Sequence, residues 1–284
     1  MRTARLHLWA FVLALILFPA FVCGEFPTSR PFPGVGYATE SRKDPAMRLY
    51  CVMVDLTNSA VSLHVSRGGP DPDGNGPFQT TLMRTSEIAA RERFDIAING
   101  SFFAAKSKVD EEGALLRYAV GQPASVIGPA MSDGTLWAKG SGARPCLIVT
   151  DRGEVLIAPS TQIPHNARQI VSGNTLLVEN GKAVANSSKQ IAPRTAVGLD
   201  KGHKRLVVLI VDGRLPGFSI GMSYAQVAAE LISLGCHTAI NLDGGGSTTL
   251  VLRDPKTQQF RVINTPSDGT ERPIANVLGV KIKQ

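Results

Sequence analysis

The residues able to do chemistry in this 284-residue chain gather in its C-terminal third, around Asn241-Leu-Asp-Gly-Gly-Gly-Ser-Thr-Thr249. Three consecutive glycines cost backbone entropy, so something in the fold must require them. They could form a bare turn. They could also make a floor of backbone N–H groups, those of Gly244, Gly245 and Gly246, open to an anion such as a phosphodiester, with the Ser247 and Thr248 hydroxyls as further donors. The Gly-Lys-Ser/Thr ending of a P-loop is absent. Asp243 is a candidate acid/base, nucleophile or metal ligand, or else it bonds the N–H groups of its own turn. Asp212, in Asp212-Gly-Arg214, carries the same alternatives. Two carboxylates together suit glycoside hydrolysis, where one protonates the leaving oxygen and the other is base or nucleophile. Arg194 and Arg272 stand in turn-like settings. There a guanidinium can hold a phosphate through two parallel hydrogen bonds, or pair with a structural carboxylate.

The elements around these residues decide whether they meet. Arg205–Val211 is a continuous apolar run that reads as a strand buried on both faces. Ser223 and Gln226 form a capping-box pattern, Val227, Ala228, Leu231 and Ile232 recur at helical spacing, and Gly235 ends the helix. A strand at residues 238–242 follows, and another at 248–252. Strand, helix, strand at this length predicts a parallel crossover, which brings Asp212 and Asp243 to one sheet edge. Asn99 would join them if its strand, residues 94–99, runs the same way. Upstream, strands are expected at residues 48–56 and 60–65, with a helix capped by Thr85 or Ser86 running to Arg93. Glu179-Asn-Gly181 between apolar runs is a hairpin signal. The expected fold is α+β: a mixed sheet core, a C-terminal parallel β-α-β unit, and antiparallel strands in the middle of the chain.

Composition excludes several classes. With 43% hydrophobic and 19% charged residues this is an ordinary globular chain. Arg2 and Arg5 precede an apolar run from Leu8 to Val22, followed by Cys23 and Gly24, the pattern of a secretory signal peptide over residues 1–24. Residues 25–44, rich in proline at first, read as an extended leader, and 45–284 as one domain. The expectation is an exported, periplasmic or secreted protein with no membrane span after cleavage. Loss of Arg2 and Arg5 lowers the formal charge from +7 to +5. The remaining basic residues are scattered and form no patch of the nucleic-acid type. Cys51, Cys146 and Cys236 read as buried, inert thiols, with a bridge between two of them left open. No cysteine–histidine cluster has zinc spacing. No cofactor is required, although carboxylate and carbonyl oxygens could hold a calcium-like divalent cation.

Taken in series, Asn99-Gly-Ser-Phe-Phe103, Pro193-Arg-Thr-Ala-Val-Gly198, Val211-Asp-Gly-Arg214, Asn241-Leu-Asp-Gly-Gly-Gly-Ser-Thr248 and Arg272-Pro-Ile-Ala-Asn276 resemble the phosphodiester glycosidase family, over roughly residues 45–282. The resemblance implies a hydrolase that cleaves a sugar from a sugar-1-phosphodiester glycoconjugate, with Asp243 and its glycine loop at the active site. It also implies that Asn99, Arg194, Asp212, Ser247, Thr248, Arg272 and Asn276 line that site. Position 101 is Ser where many relatives carry another small or acidic residue, so no catalytic acid is assigned there. The rival expectation is a non-catalytic envelope protein that binds phosphorylated glycans through the same loop.

Overall fold

The structure, a computed structural model, describes residues 29–109, 115–116, 118–140 and 142–283. The segment read as a signal peptide lies outside these residues. The main sheet has eight strands in the order Ser29–Phe32, Val35–Lys43, Ala46–Asp55, Arg205–Val211, Arg194–Leu199, Thr238–Asn241, Thr175–Glu179 and Lys182–Ala183. Every neighbouring pair is antiparallel. A second sheet runs Phe260–Val262, Leu250–Arg253, Ile96–Asn99, Asn276–Ile282, Val61–Arg67, and a third is built around Pro145–Thr150. Both are antiparallel throughout.

The expected α+β fold, with its mixed sheet and parallel β-α-β unit, is therefore corrected: the described fold is mostly antiparallel β, with two α-helices among the described residues. Arg205–Val211 and Thr238–Asn241 never share a ladder, because Arg194–Leu199 lies between them and runs against both. The misleading signal was the unbroken apolar run. It reports burial on both faces, which parallel sheets usually show, but an antiparallel strand covered on both sides shows it too. Here Leu206, Val208 and Ile210 enter a core shared with Ile98, Leu250 and Leu278 of the second sheet. Val207, Leu209 and Val211 pack instead under Val227, Ala228 and Leu231 of the helix Tyr224–Ser233.

Local signals held where the chemistry is local. The Ser223 hydroxyl accepts from Gln226 N at 3.4 Å, and Gln226 Oε1 accepts from Ser223 N at 2.8 Å. Asn180 and Gly181 both have positive φ, as the tight turn between Thr175–Glu179 and Lys182–Ala183 demands. The helix Thr85–Glu92 is capped one residue earlier than expected, by Arg84, whose N–H donates to Glu87 Oε2 at 3.1 Å. Ser86 turns away to Glu271. Much of the stretch read as a leader is sheet: Val35–Lys43 pairs along its length with Ala46–Asp55. Proline misled here, since Pro31 sits on the outermost strand, where a missing N–H is tolerated. Cys51, Cys146 and Cys236 are free and buried, and burial pushes their thiols up, to about 11 for Cys146.

Candidate active site

Two sheets deliver the site. Arg205–Val211 and Thr238–Asn241 are both antiparallel to the strand between them, so they point the same way, and Asp212 and Asp243 leave the main sheet at one edge. Arg194 opens the intervening strand at that edge. Asn99 and Asn276 arrive there from the second sheet, at the end of one strand and the start of its neighbour. The helix Tyr224–Ser233 connects the two strands as expected, but Arg194–Leu199 separates them, so they form no parallel ladder.

The glycine loop is held tightly. Asp243 N donates to Gly100 O at 2.9 Å and Gly245 N to Pro193 O at 2.9 Å; Ser247 N and Thr248 N close a short 3₁₀ turn onto Gly244 and Gly245. Gly244 N donates to Asp243 Oδ1 at 2.9 Å. Of the three glycine N–H groups expected to form an open floor, Gly246 alone has no acceptor among the described residues. The glycines answer to a different demand. A Cβ on Gly244 would lie 2.8 Å from Pro193 O, one on Gly245 would lie 3.1 Å from the Arg214 guanidinium, and one on Gly246 would overlap Arg272 and Asp268. Gly245 also has φ +62°, which an L side chain rarely adopts. The loop is bare so that Pro193 O can approach Gly244 and two arginines can lie against Gly245 and Gly246.

Three of the expected site residues are scaffold in this arrangement. Asn99, fully buried, donates to Asp243 O at 2.6 Å and accepts from Thr195 Oγ1 at 2.7 Å and Thr249 N at 3.1 Å. Asn276 accepts from Ser101 N at 2.7 Å, which fixes the Gly100–Ser101 turn that holds Asp243 N. Asp212, 1% exposed, accepts from Tyr50 OH, from Asn264 Nδ2, and twice from Thr265 N, all at 3.0–3.1 Å. Three donors, one of them the Thr265 N–H shared between both oxygens, engage both sides of the carboxylate. Burial raises the Asp212 carboxyl above its ordinary value, while these bonds and the charge of Arg48 pull it back. Asn264 also donates to Thr248 O at 3.0 Å, so Asp212 braces the glycine loop from behind.

The arginines divide. Arg194 is 4% exposed, donates to Met222 O at 2.9 Å and Gln190 O at 2.6 Å, and stacks over Tyr224 at 4.2 Å. Burial lowers its pKa, and the like charge of Arg214 adds to that. Its guanidinium is therefore largely committed to the fold. Arg272 stacks on Tyr118 at 4.3 Å and pairs with the half-exposed Asp268 at 2.7 Å. Arg214, exposed and lying on Gly245, has no carboxylate partner among the described residues. Sequence reasoning passed over it although it ends the Asp212-Gly-Arg motif. The signal was available: an arginine beside a glycine loop.

At the centre is Asp243. Burial pushes its carboxyl up to about 6, against the pull of Ser247, Gly244 N and the Arg272 charge. The Ser247 hydroxyl is near enough to favour the ionised carboxylate yet falls short of hydrogen-bond geometry. Ser247 Oγ and Thr248 Oγ1 are both buried with no hydrogen-bond partner in the described structure. Orphaned buried hydroxyls are costly, of order 1–3 kcal/mol each, and that of Ser247 lies beside a carboxylate of raised pKa. No group of three or more His, Cys, Asp or Glu among the described residues is arranged to hold a metal ion. One consequence can be checked directly. Gly246→Ala should fold with nearly unchanged Tm, because the groups it displaces are side-chain ends, but lose about tenfold or more in kcat/KM as Arg272 is driven off the loop.

Comparison with known proteins identifies the family and the fold. A family model described as phosphodiester glycosidase matches residues 92–281. The chain is 27% identical over 220 residues to the SPbeta prophage-derived protein YomE of Bacillus subtilis (strain 168), covering 72% of this chain and 30% of that protein. It is 35% identical over 102 residues to the N-acetylglucosamine-1-phosphodiester alpha-N-acetylglucosaminidase of Bos taurus, covering 30% of this chain and 19% of the bovine enzyme. The chain thus matches less than a third of the length of either relative. Its fold matches the catalytic domain of the zebrafish N-acetylglucosamine-1-phosphodiester alpha-N-acetylglucosaminidase with a TM-score of 0.62 at 22% identity, covering 88% of this chain and 83% of that one. At that identity the likeness speaks for the fold alone. The family match spans Asn99, Asp212, Asp243 and Arg272, and on that ground the chain belongs to the phosphodiester glycosidase family.

Proposed function

We propose that this chain is an exported hydrolase that releases the sugar from a sugar-1-phosphodiester, with Asp243 as the group that activates the attack on the anomeric carbon. The observation that carries the reading is Asp243 itself, with its pKa raised to about 6, beside the unpartnered Ser247 hydroxyl and the Arg272 cation. In this reading Arg272, Arg214 and the Gly246 N–H take the phosphate, while Ser247 and Thr248 donate to the substrate. Asp212, Asn99 and Asn276 act as positioning residues, and Arg194 holds the wall. For export, the support is the pattern of residues 1–24 and the fact that no helix among the described residues is long and apolar enough to cross a membrane.

With Asp212 held by three donors and Asp268 paired with Arg272, Asp243 lacks a free carboxylic acid partner where glycosidases usually employ two, which favours the rival reading of a phosphoglycan binder. The chemistry of the leaving group answers this. A phosphate monoester departs as a stabilised anion, so a second carboxylic acid is not needed to protonate it. Cationic arginines serve instead. The harder task falls to the ionised Asp243, as base or nucleophile. Sugar release should then rise about tenfold per pH unit as Asp243 ionises, and level off above about 6. A rate that falls through 6 would make Asp243 the acid, and no release at any pH would favour the binder.

A further inference from the structure

We infer that the cleft at Trp137 is a second sugar-binding site, taking the pyranose ring of a glycan. The cleft is an open surface depression of about 440 Å³, lined by Arg67, Arg91, Glu92, Ser132, Asp133 and Trp137 among others. That volume suits a ligand of one or two sugar rings. Trp137 is fixed on two sides: it packs against the apolar cluster of Leu82, Ala130 and Ala275, and its indole N–H donates to Ser132 Oγ at 2.9 Å. Arg67 covers part of the indole, and the remaining indole surface that lines the cleft is a rigid apolar contact for the C–H face of a pyranose.

The groups around it suit the hydroxyl edge of such a ring. Arg67 stands over the indole, its Cζ 5.8 Å from the ring centroid, and has no carboxylate partner among the described residues. Arg91 is spent on the wall: it pairs with Glu92 at 2.9 Å and donates to Arg67 O at 2.7 Å. Asp133, whose side chain is 78% exposed, uses Oδ1 on Gln169 at 2.7 Å. Its Oδ2 remains an acceptor. A planar guanidinium and a carboxylate oxygen flanking an aromatic ring match the alternating donors and acceptors of vicinal hydroxyls.

The cleft is also close to Asp243 along the backbone. Arg67 faces Asn276 across an antiparallel ladder. Gly100 N bonds Asn276 O, and Gly100 O receives Asp243 N. Three such steps of about 5 Å each put Arg67 within roughly 15 Å of Asp243. The site does not depend on the hydrolase reading; where that reading holds, the cleft takes a sugar of the group beyond the phosphate.

The chain has two tryptophans, Trp9 and Trp137. Tryptophan emission of the full chain, titrated with mannobiose and with N,N′-diacetylchitobiose, should show a saturable change with at least one of them. The change should persist in Trp9→Phe. It should weaken about tenfold or more in Arg67→Ala, whose circular dichroism stays that of the parent, because one charge-assisted hydrogen bond is lost. No saturable change with either sugar, or an Arg67→Ala variant that binds as the parent does, would overturn the inference. Binding at Trp137 by a chain that releases sugar from no phosphodiester would refute the hydrolase reading and leave the cleft standing.

Discussion

Asp243→Asn should lose at least about a thousandfold in sugar release and, at neutral pH, gain stability. The first half follows from removing the carboxylate that heads the glycine loop, whose Oδ1 alone is bonded to the backbone, by Gly244 N. The second follows from its raised pKa. An aspartate near 3.8 when unfolded and about 6 when folded binds its proton more tightly in the native state. Its stability contribution is fully present below about 3.8 and is lost as pH rises through about 6. At neutral pH the ionised group costs at most about 3 kcal/mol, an upper bound because Asp243 is partly exposed. Asparagine keeps the acceptor for Gly244 N and never ionises. Thermal unfolding of the two proteins should differ at pH 7.5 in favour of the variant, and the difference should shrink towards pH 4. A variant less stable than its parent at pH 7.5 would mean that the carboxylate serves the fold.

Asp212→Ala has the opposite signature. It leaves Tyr50 OH, Asn264 Nδ2 and Thr265 N facing an empty, buried space. Stranding several donors at once costs about 3–5 kcal/mol, a large share of a domain's total stability. Urea unfolding should show that loss, and whatever activity the folded fraction retains should fall with loosening of the Asn264–Thr248 brace. Unchanged stability with abolished turnover would return Asp212 to a direct catalytic role.

The contrast between these two aspartates shows where a sequence can be read and where it cannot. Both end a buried strand, both precede glycine, and both lie at one edge of the main sheet. Those features are local, like the Ser223–Gln226 box and the Asn180–Gly181 turn, and the chain spells them out. What separates the two is partnership. Asp212 is quenched by Tyr50, Asn264 and Thr265, which come from distant segments that no spacing rule connects. The same limit explains the misplaced crossover. Nothing local in Arg194–Leu199 announces that it inserts between the two strands that a helix joins. The three glycines stand out in the sequence, but what lies on them, Pro193 O at Gly244 and arginine side chains at Gly245 and Gly246, only packing reveals.

The central claim is that the bond cleaved is the one from the sugar to oxygen, and not the one from phosphorus to oxygen. Turnover of a sugar-1-phosphodiester in ¹⁸O-labelled water, with mass analysis of the released phosphate monoester, tests it most directly. Attack at the anomeric carbon predicts a phosphate product free of ¹⁸O, formed by the parent and not by Asp243→Asn. An ¹⁸O atom in the phosphate would mean attack at phosphorus, and would contradict the account.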